Sequence, residues 1–296
     1  MASSTLTTPA RESRAIALTP SRSKLAASRS ALRALVLRDL VVLWKHKVEF
    51  VVRTLVQPFL LVFVFLYVFP TIGQGVGGGG GHVAESRFAT VLVPGVVAIS
   101  VMFQGIQAVA MVLSQEFGFT REIEDRVQAP CPIWLVAVAK VLSGATQGLI
   151  AALIVFPIAA VIHAHGVEAH LSVHWPIVVT LLPLACLTMA SLGLWLGTVF
   201  EPRNLGLMFG FVVLPLTFLG GTYYQWTRLA PVQVGGIHWL QILVLINPLI
   251  YIAEGMRAAL TEASHMPLYV IYPVLIGFCA TFLALGLRRF RGRVLS

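Results

Sequence analysis

Six long apolar stretches alternate with short polar ones along the chain. They cover roughly residues 49–70, 88–113, 134–162, 174–199, 205–224 and 266–287. Each reaches the length of about 20 residues that a helix needs to cross a hydrocarbon core about 30 Å thick. The apolar runs are continuous and lack the polar alternation of barrel strands. Only helices or closed barrels satisfy the backbone in lipid, so all six are predicted to be transmembrane helices. A seventh apolar segment, 237–252, is short and is interrupted by Asn247-Pro248. Proline disfavours helix at the residue before it. The 228–262 region therefore reads as a re-entrant or interfacial element on the outer side.

Composition narrows the class. The 296 residues are 57% hydrophobic and only 11% charged, with a mean hydropathy of +0.86. Soluble domains run at about 45–50% apolar and about 25% charged. A soluble enzyme is thereby disfavoured, and disorder and disulfide scaffolds are excluded. Cys131, Cys186 and Cys279 form no CxxC pair.

The net charge of +9 reports topology more than nucleic-acid binding. Residues 1–48 carry nine Lys/Arg, and the C-terminus carries Arg288, Arg289, Arg291 and Arg293. Both ends are expected in the cytoplasm, which requires an even number of spans. Arg121, Arg126 and Arg203 fall in the loops this layout places inside, whereas 163–173 has no Lys or Arg. Residues 1–28, rich in Ser, Thr, Ala and Arg, read as a disordered cytoplasmic tail. In 29–47, Leu32, Val36, Leu40 and Leu43 recur at helical spacing among basic residues, as in a helix on the inner leaflet. The predicted membrane domain spans 29–290, with 291–296 as a cytoplasmic end.

Candidate chemistry is sparse. The run Gly73, Gly75 and Gly77 to Gly81 lacks the GxxxxGK[ST] pattern of a phosphate loop and reads as a linker. His163, His165, His170 and His174 crowd one outer loop without Cys or carboxylate partners, so no metal site is assigned. No catalytic set is visible. The only aspartates, Asp39 and Asp125, lie in cytoplasmic segments. Ion-coupled carriers place acids near the midplane. That alternative, an ion-coupled secondary transporter, survives here through Glu254. Lys140 lies inside the third span and is expected to snorkel to the cytoplasmic surface, with pairing to a cytoplasmic acid as the functional alternative. Gln57, Met102, Phe103, Gln104, Gln107 and Gln147 are candidates for a substrate path, although glutamines in spans more often bond helix to helix.

Residues 114–133 form a charged segment between two spans. Thr120 can cap a short helix, Glu122 and Glu124 suit its positive end, and Pro130 and Pro132 stop it. Glu122 and Arg126 are favourably oriented i,i+4 partners. A solvated turn and a docking helix for a soluble partner are both open on this ground alone.

The string Arg121-Glu-Ile-Glu-Asp-Arg126-Val-Gln-Ala-Pro-Cys-Pro132 resembles the cytoplasmic loop of type-2 ABC transporter permeases of the daunorubicin/nodulation exporter group. Pro94-Gly95, Phe218-Leu-Gly-Gly221 and Asn247-Pro248-Leu-Ile-Tyr251, followed by Glu254 and Arg257, match that family in the same order. The family's Gly-Thr is replaced here by Ile123-Glu124, and Gln225 stands where a proline commonly follows the outer tyrosine.

The resemblance implies an all-α polytopic fold of six transmembrane helices, an N-terminal interfacial helix and outer re-entrant helices before the last span. It implies a permease subunit of an ATP-binding cassette exporter in a bacterial plasma (inner) membrane, moving a drug, lipid or lipid-linked glycan. A second permease, identical or related, would pair with it, and two separate ATPase subunits would hold ATP and Mg. Membrane lipid is the other implied contact; nucleic acid is not. Glu116, Arg121, Glu122, Glu124 and Arg126 would touch the ATPase. Gly220, Gly221, Asn247, Pro248, Tyr251, Glu254 and Arg257 would shape the re-entrant element.

Overall fold

The computed structural model describes residues 24–72, 81–120, 132–161, 171–232 and 238–295. Helix is the only regular secondary structure among them. Six helical segments are long and apolar enough to cross a membrane.

The chain begins with α1 (Lys24–Lys45), which ends at a non-helical His46 before α2 (Lys47–Val62). A helix is thus present where one was expected on the inner leaflet, and it starts earlier than residue 29. Pro58 within α2 lacks the N–H that would bond the carbonyl one turn back. A widened π-helical stretch, Phe63–Val68, follows and leads into Phe69–Thr71. Together these make the first span.

The long α3 (Gly81–Gln115) contains 35 residues. At about 1.5 Å per residue it is a rod of about 50 Å, well beyond the hydrocarbon thickness. It runs on into a π-helical turn, Glu116–Thr120. Then come α4 (Ile133–Val161) and α5 (Trp175–Val199). The fifth span, α6 (Pro202–Leu219), is a composite of 3-10, α and π turns. It stops short of the predicted residue 224 because the chain turns at Gly220-Gly221, where Gly221 has φ +65°. Only glycine takes that backbone readily.

The ambiguous region resolves into a 3-10 turn, Trp226–Leu229, and two short helices, α7 (Trp239–Val244) and α8 (Pro248–Leu260). At 13 residues, or about 20 Å, α8 is too short to be a seventh span. It ends in the connection to α9 (Leu268–Leu295), the last span.

The core is the packing of α3 against α4, α5 and α8, with α9 laid along α5. Small residues permit this closeness, as is usual between helices in lipid. A Cβ on Gly193 of α5 would lie 3.0 Å from the Gly105 carbonyl of α3. Within the span windows, 78% of α3 is buried by the chain itself, against 17% for α6 and for α9. These two spans therefore present most of their apolar surface outward.

The first and last described helices both reach one end of the bundle. Asp39 of α1 lies beside Lys140 near the start of α4. Arg293 near the end of α9 donates to the carbonyls of Thr198 (3.2 Å) and Phe200 (3.3 Å), closing the end of α5. Its guanidinium also lies 4.7 Å from the ring centre of Phe117, just beyond α3.

Candidate functional site

At that end, α1, α2, α3 and α4 enclose a cleft of about 640 Å³. This falls within the usual range for ligand pockets, about 300–1,000 Å³. Val42, Leu43, Phe50, Ala108 and Val112 form apolar walls, and three ionised groups meet on one side. Lys140 Nζ donates to Glu116 Oε1 at 2.8 Å and stands 3.8 Å from Asp39 Oδ2. Asp39 Oδ1 in turn accepts from the more exposed Arg38 at 3.1 Å.

Lys140 therefore does not snorkel. Its side chain is 7% exposed, and two carboxylates replace the water it would otherwise seek. Hydropathy could not reveal this, because Glu116 is brought back beside Lys140 only when the chain reverses between α3 and α4. Glu116 also departs from its expected place among outward contacts. Its carboxylate is turned into the chain and engaged by Lys140.

Deeper in the bundle a polar seam crosses α2, α3 and α4. Thr54 Oγ1 donates to Gln104 Oε1 at 3.2 Å, and Gln104 Nε2 donates to Gln147 Oε1 at 3.4 Å. Gln57, Phe103 and Gln107 line a small adjoining cavity of about 20 Å³, room for about one water. Gln147 also reaches the large cleft. The six path candidates thus separate. Met102 is fully enclosed in the apolar core and offers no surface, the other five line a cavity, and of these Gln104 is engaged in interhelical bonds through both ends of its amide.

At the opposite end the re-entrant residues converge on a sealed node. Asn247 caps α8 by accepting from the Leu249 N–H at 2.9 Å, and its amide donates to the Leu216 carbonyl of α6 at 2.7 Å. Tyr251 donates to the Leu245 carbonyl at 3.0 Å. Glu254 Oε1 accepts from Arg257 at 2.8 Å and from the Trp226 N–H at 2.8 Å, while Oε2 accepts from the Met266 N–H at 3.0 Å. Arg257 donates onward to the carbonyls of Gly221 and Thr222. Both charged residues have no exposed surface.

The Thr222 carbonyl packs directly on Gly95 of α3, where any Cβ would collide with it. Pro94-Gly95, Gly220-Gly221 and the Glu254/Arg257 pair are therefore parts of one assembly. Gly220 and Pro248 belong to it as well, since a Cβ on Gly220 would strike Leu249 and Pro248 opens α8.

Arg121, Glu122, Glu124 and Arg126 lie outside the described residues, as do His163, His165 and His170 and most of the glycine run. Among the described residues, no group of three or more His, Cys, Asp or Glu side chains is arranged to hold a metal.

Residues 30–261 match the sequence profile of the ABC-2 type transporter family. The chain belongs to that family. Similar curated proteins include the inner membrane transport permease YadH of Escherichia coli strain K12, 29% identical over 78% of this chain and 84% of that protein. The YadH proteins of Escherichia coli O157:H7 and of Shigella flexneri show the same identity and coverage. The chain is thus an all-α, multi-pass ABC-2 permease, the membrane subunit of an ABC transporter.

Within this ABC-2 permease, several groups that build these clusters escaped the linear reading. Asp39 was legible only as a cytoplasmic acid, and Thr54 carried no motif. Trp226 and Met266 serve the node through backbone N–H groups, so their side chains gave no signal. The i,i+3 spacing of Glu254 and Arg257 was the one visible hint of a pair.

Proposed function

We propose that this permease is the membrane half of an ATP-driven exporter. Two separate ATPase subunits bind ATP and Mg, and a second permease, identical or related, completes the pathway. The substrate is amphiphilic: a drug, a lipid or a lipid-linked glycan. The protein resides in a bacterial inner membrane with both termini in the cytoplasm.

The observation that carries this reading is the ABC-2 family match over 30–261. The chain itself contains no GxxxxGK[ST] string, so hydrolysis falls to a partner. Arg121, Glu122, Glu124 and Arg126, in the segment between the long helices α3 and α4, make the direct contacts to the ATPase. ATP binding shifts the equilibrium between permease states only as far as it favours one of them. Stiff roots on the docking loop are what let that preference reach the spans.

The ion-coupled alternative rested on Glu254. That carboxylate accepts from Arg257 and from two backbone N–H groups in a site without exposure, which leaves little room for a cycling ion.

The test is to purify the protein from native membranes and identify the ATPase that accompanies it. The double charge reversal Glu122→Lys with Arg126→Glu should release that ATPase while insertion is retained. Unchanged co-purification would remove the docking assignment, and ATP turnover by the isolated chain would remove the whole reading.

A further inference from the structure

The cluster at the cleft does more than bury a lysine. Glu116 is the first residue past the α-helical part of α3, and Lys140 sits near the start of α4. Their 2.8 Å bond joins two rods on either side of the loop between them. The same ammonium lies 3.8 Å from Asp39, the only acid of α1. α1 otherwise packs along α4 and leaves Leu37, Val41 and Trp44 exposed. Apolar helix contacts of this kind can slide, whereas an ion pair between side chains only 7% and 14% exposed resists separation. α1 also supplies one wall of the cleft through Asp39, Val42, Leu43 and His46.

We infer that Asp39 and Lys140 are positioning residues that make α1, and with it the mouth of the cleft, follow the loop-facing ends of α3 and α4. When the ATPase displaces those ends, Lys140 carries Asp39 along, so the cleft changes width together with the docking loop. The inference rests on the proposed ATP-driven reading. It assigns a transmission role to the first helix through a single ammonium shared by two carboxylates.

The experiment uses the permease with its co-purified ATPase in lipid nanodiscs. Native cysteines are replaced by alanine, V41C on α1 and W175C at the far end of α5 carry spin labels, and labelled protomers are diluted with unlabelled ones. Both label sites are exposed. The distance between labels is measured with and without Mg-ATP and vanadate. The wild type should show a nucleotide-dependent shift in that distance. Asp39→Asn keeps the Lys140–Glu116 pair, so the fold and ATPase binding should persist, with ATP turnover within about twofold of wild type. The shift should fall by half or more. Asp39→Glu should restore it. Arg38→Gln, which removes only the exposed partner of Asp39, should leave it intact.

A full shift in Asp39→Asn, an equal loss in Arg38→Gln, or an α1 that stays still in the wild type would each overturn the inference. If no ATPase accompanies the wild-type protein, the functional reading falls and takes this inference with it. If the ATPase binds and turns over but the variants behave alike, only the inference falls.

Discussion

Two buried charged clusters of this permease, Glu254–Arg257 and Asp39–Lys140–Glu116, lie at opposite ends of the bundle and follow opposite plans. The first, Glu254 with Arg257, has no exposed surface, and each carboxylate oxygen is held by a backbone N–H. It binds the 220–226 turn, α8 and the start of the α9 connection into one body against Gly95 of α3. The second, Asp39–Lys140–Glu116, borders an open cleft of about 640 Å³ and links separate helices mainly through side chains. A cluster satisfied by backbone fixes its surroundings. One satisfied by side chains at the edge of a cleft instead ties separate helices to one another so that they move together. The end that holds Glu254 is thus built as a plug and the end that holds Lys140 as a joint.

The most severe test of this contrast is Arg257→Met. It leaves Glu254 buried without its counter-charge, and loss of one partner of a buried pair costs about 3–5 kcal/mol. The expected result is a large fall in thermal unfolding temperature in detergent, or loss of monodisperse protein. A near-normal melting temperature would show that the node is not the plug's lock.

Gly95→Ala should come next. Its Cβ meets the Thr222 carbonyl, and overpacking of this kind costs about 1–3 kcal/mol. The same melting measurement should place it below Arg257→Met.

Lys140→Met should destabilise less than Arg257→Met, because Glu116 and Asp39 border a cleft through which water can replace the ammonium. Added salt should narrow the gap between Lys140→Met and wild type while leaving the Arg257→Met deficit unchanged, since salt screens accessible charges and spares sealed ones. Equal salt responses at both ends would erase the distinction between plug and joint.

The smallest effect is expected for Gln104→Leu. It breaks the seam to Thr54 and Gln147, and interhelical hydrogen bonds in membranes average about 0.6 kcal/mol. Chemical denaturation in mixed micelles should detect a small shift or none.

Much of the layout was legible before any coordinates. Continuous apolar runs can only be spans, and Asn247-Pro248 had to break the short one, which the structure does at α7 and α8. Where reading along the chain went astray, the cause was consistently a partner distant in sequence. Lys140 was sent to water because its acids are brought in by α1 and by the far end of α3. Met102 was offered to substrate because nothing in its neighbourhood shows that α3 is the most enclosed of the spans. The fifth span was drawn too long because hydropathy continues past Gly220 while the backbone turns there.

The sequence by itself determined the solvent this protein folds in, the number of its spans and the family to which it belongs. All three follow from hydrophobic run lengths and local motifs, which need no knowledge of what packs where. Only the tertiary structure decided which charges are paired, which polar groups face a cavity and which end of the bundle is sealed. Those outcomes depend on residues far apart in the chain meeting at a few ångströms, and in a low-dielectric interior that proximity decides whether a charge is a cost or a tie.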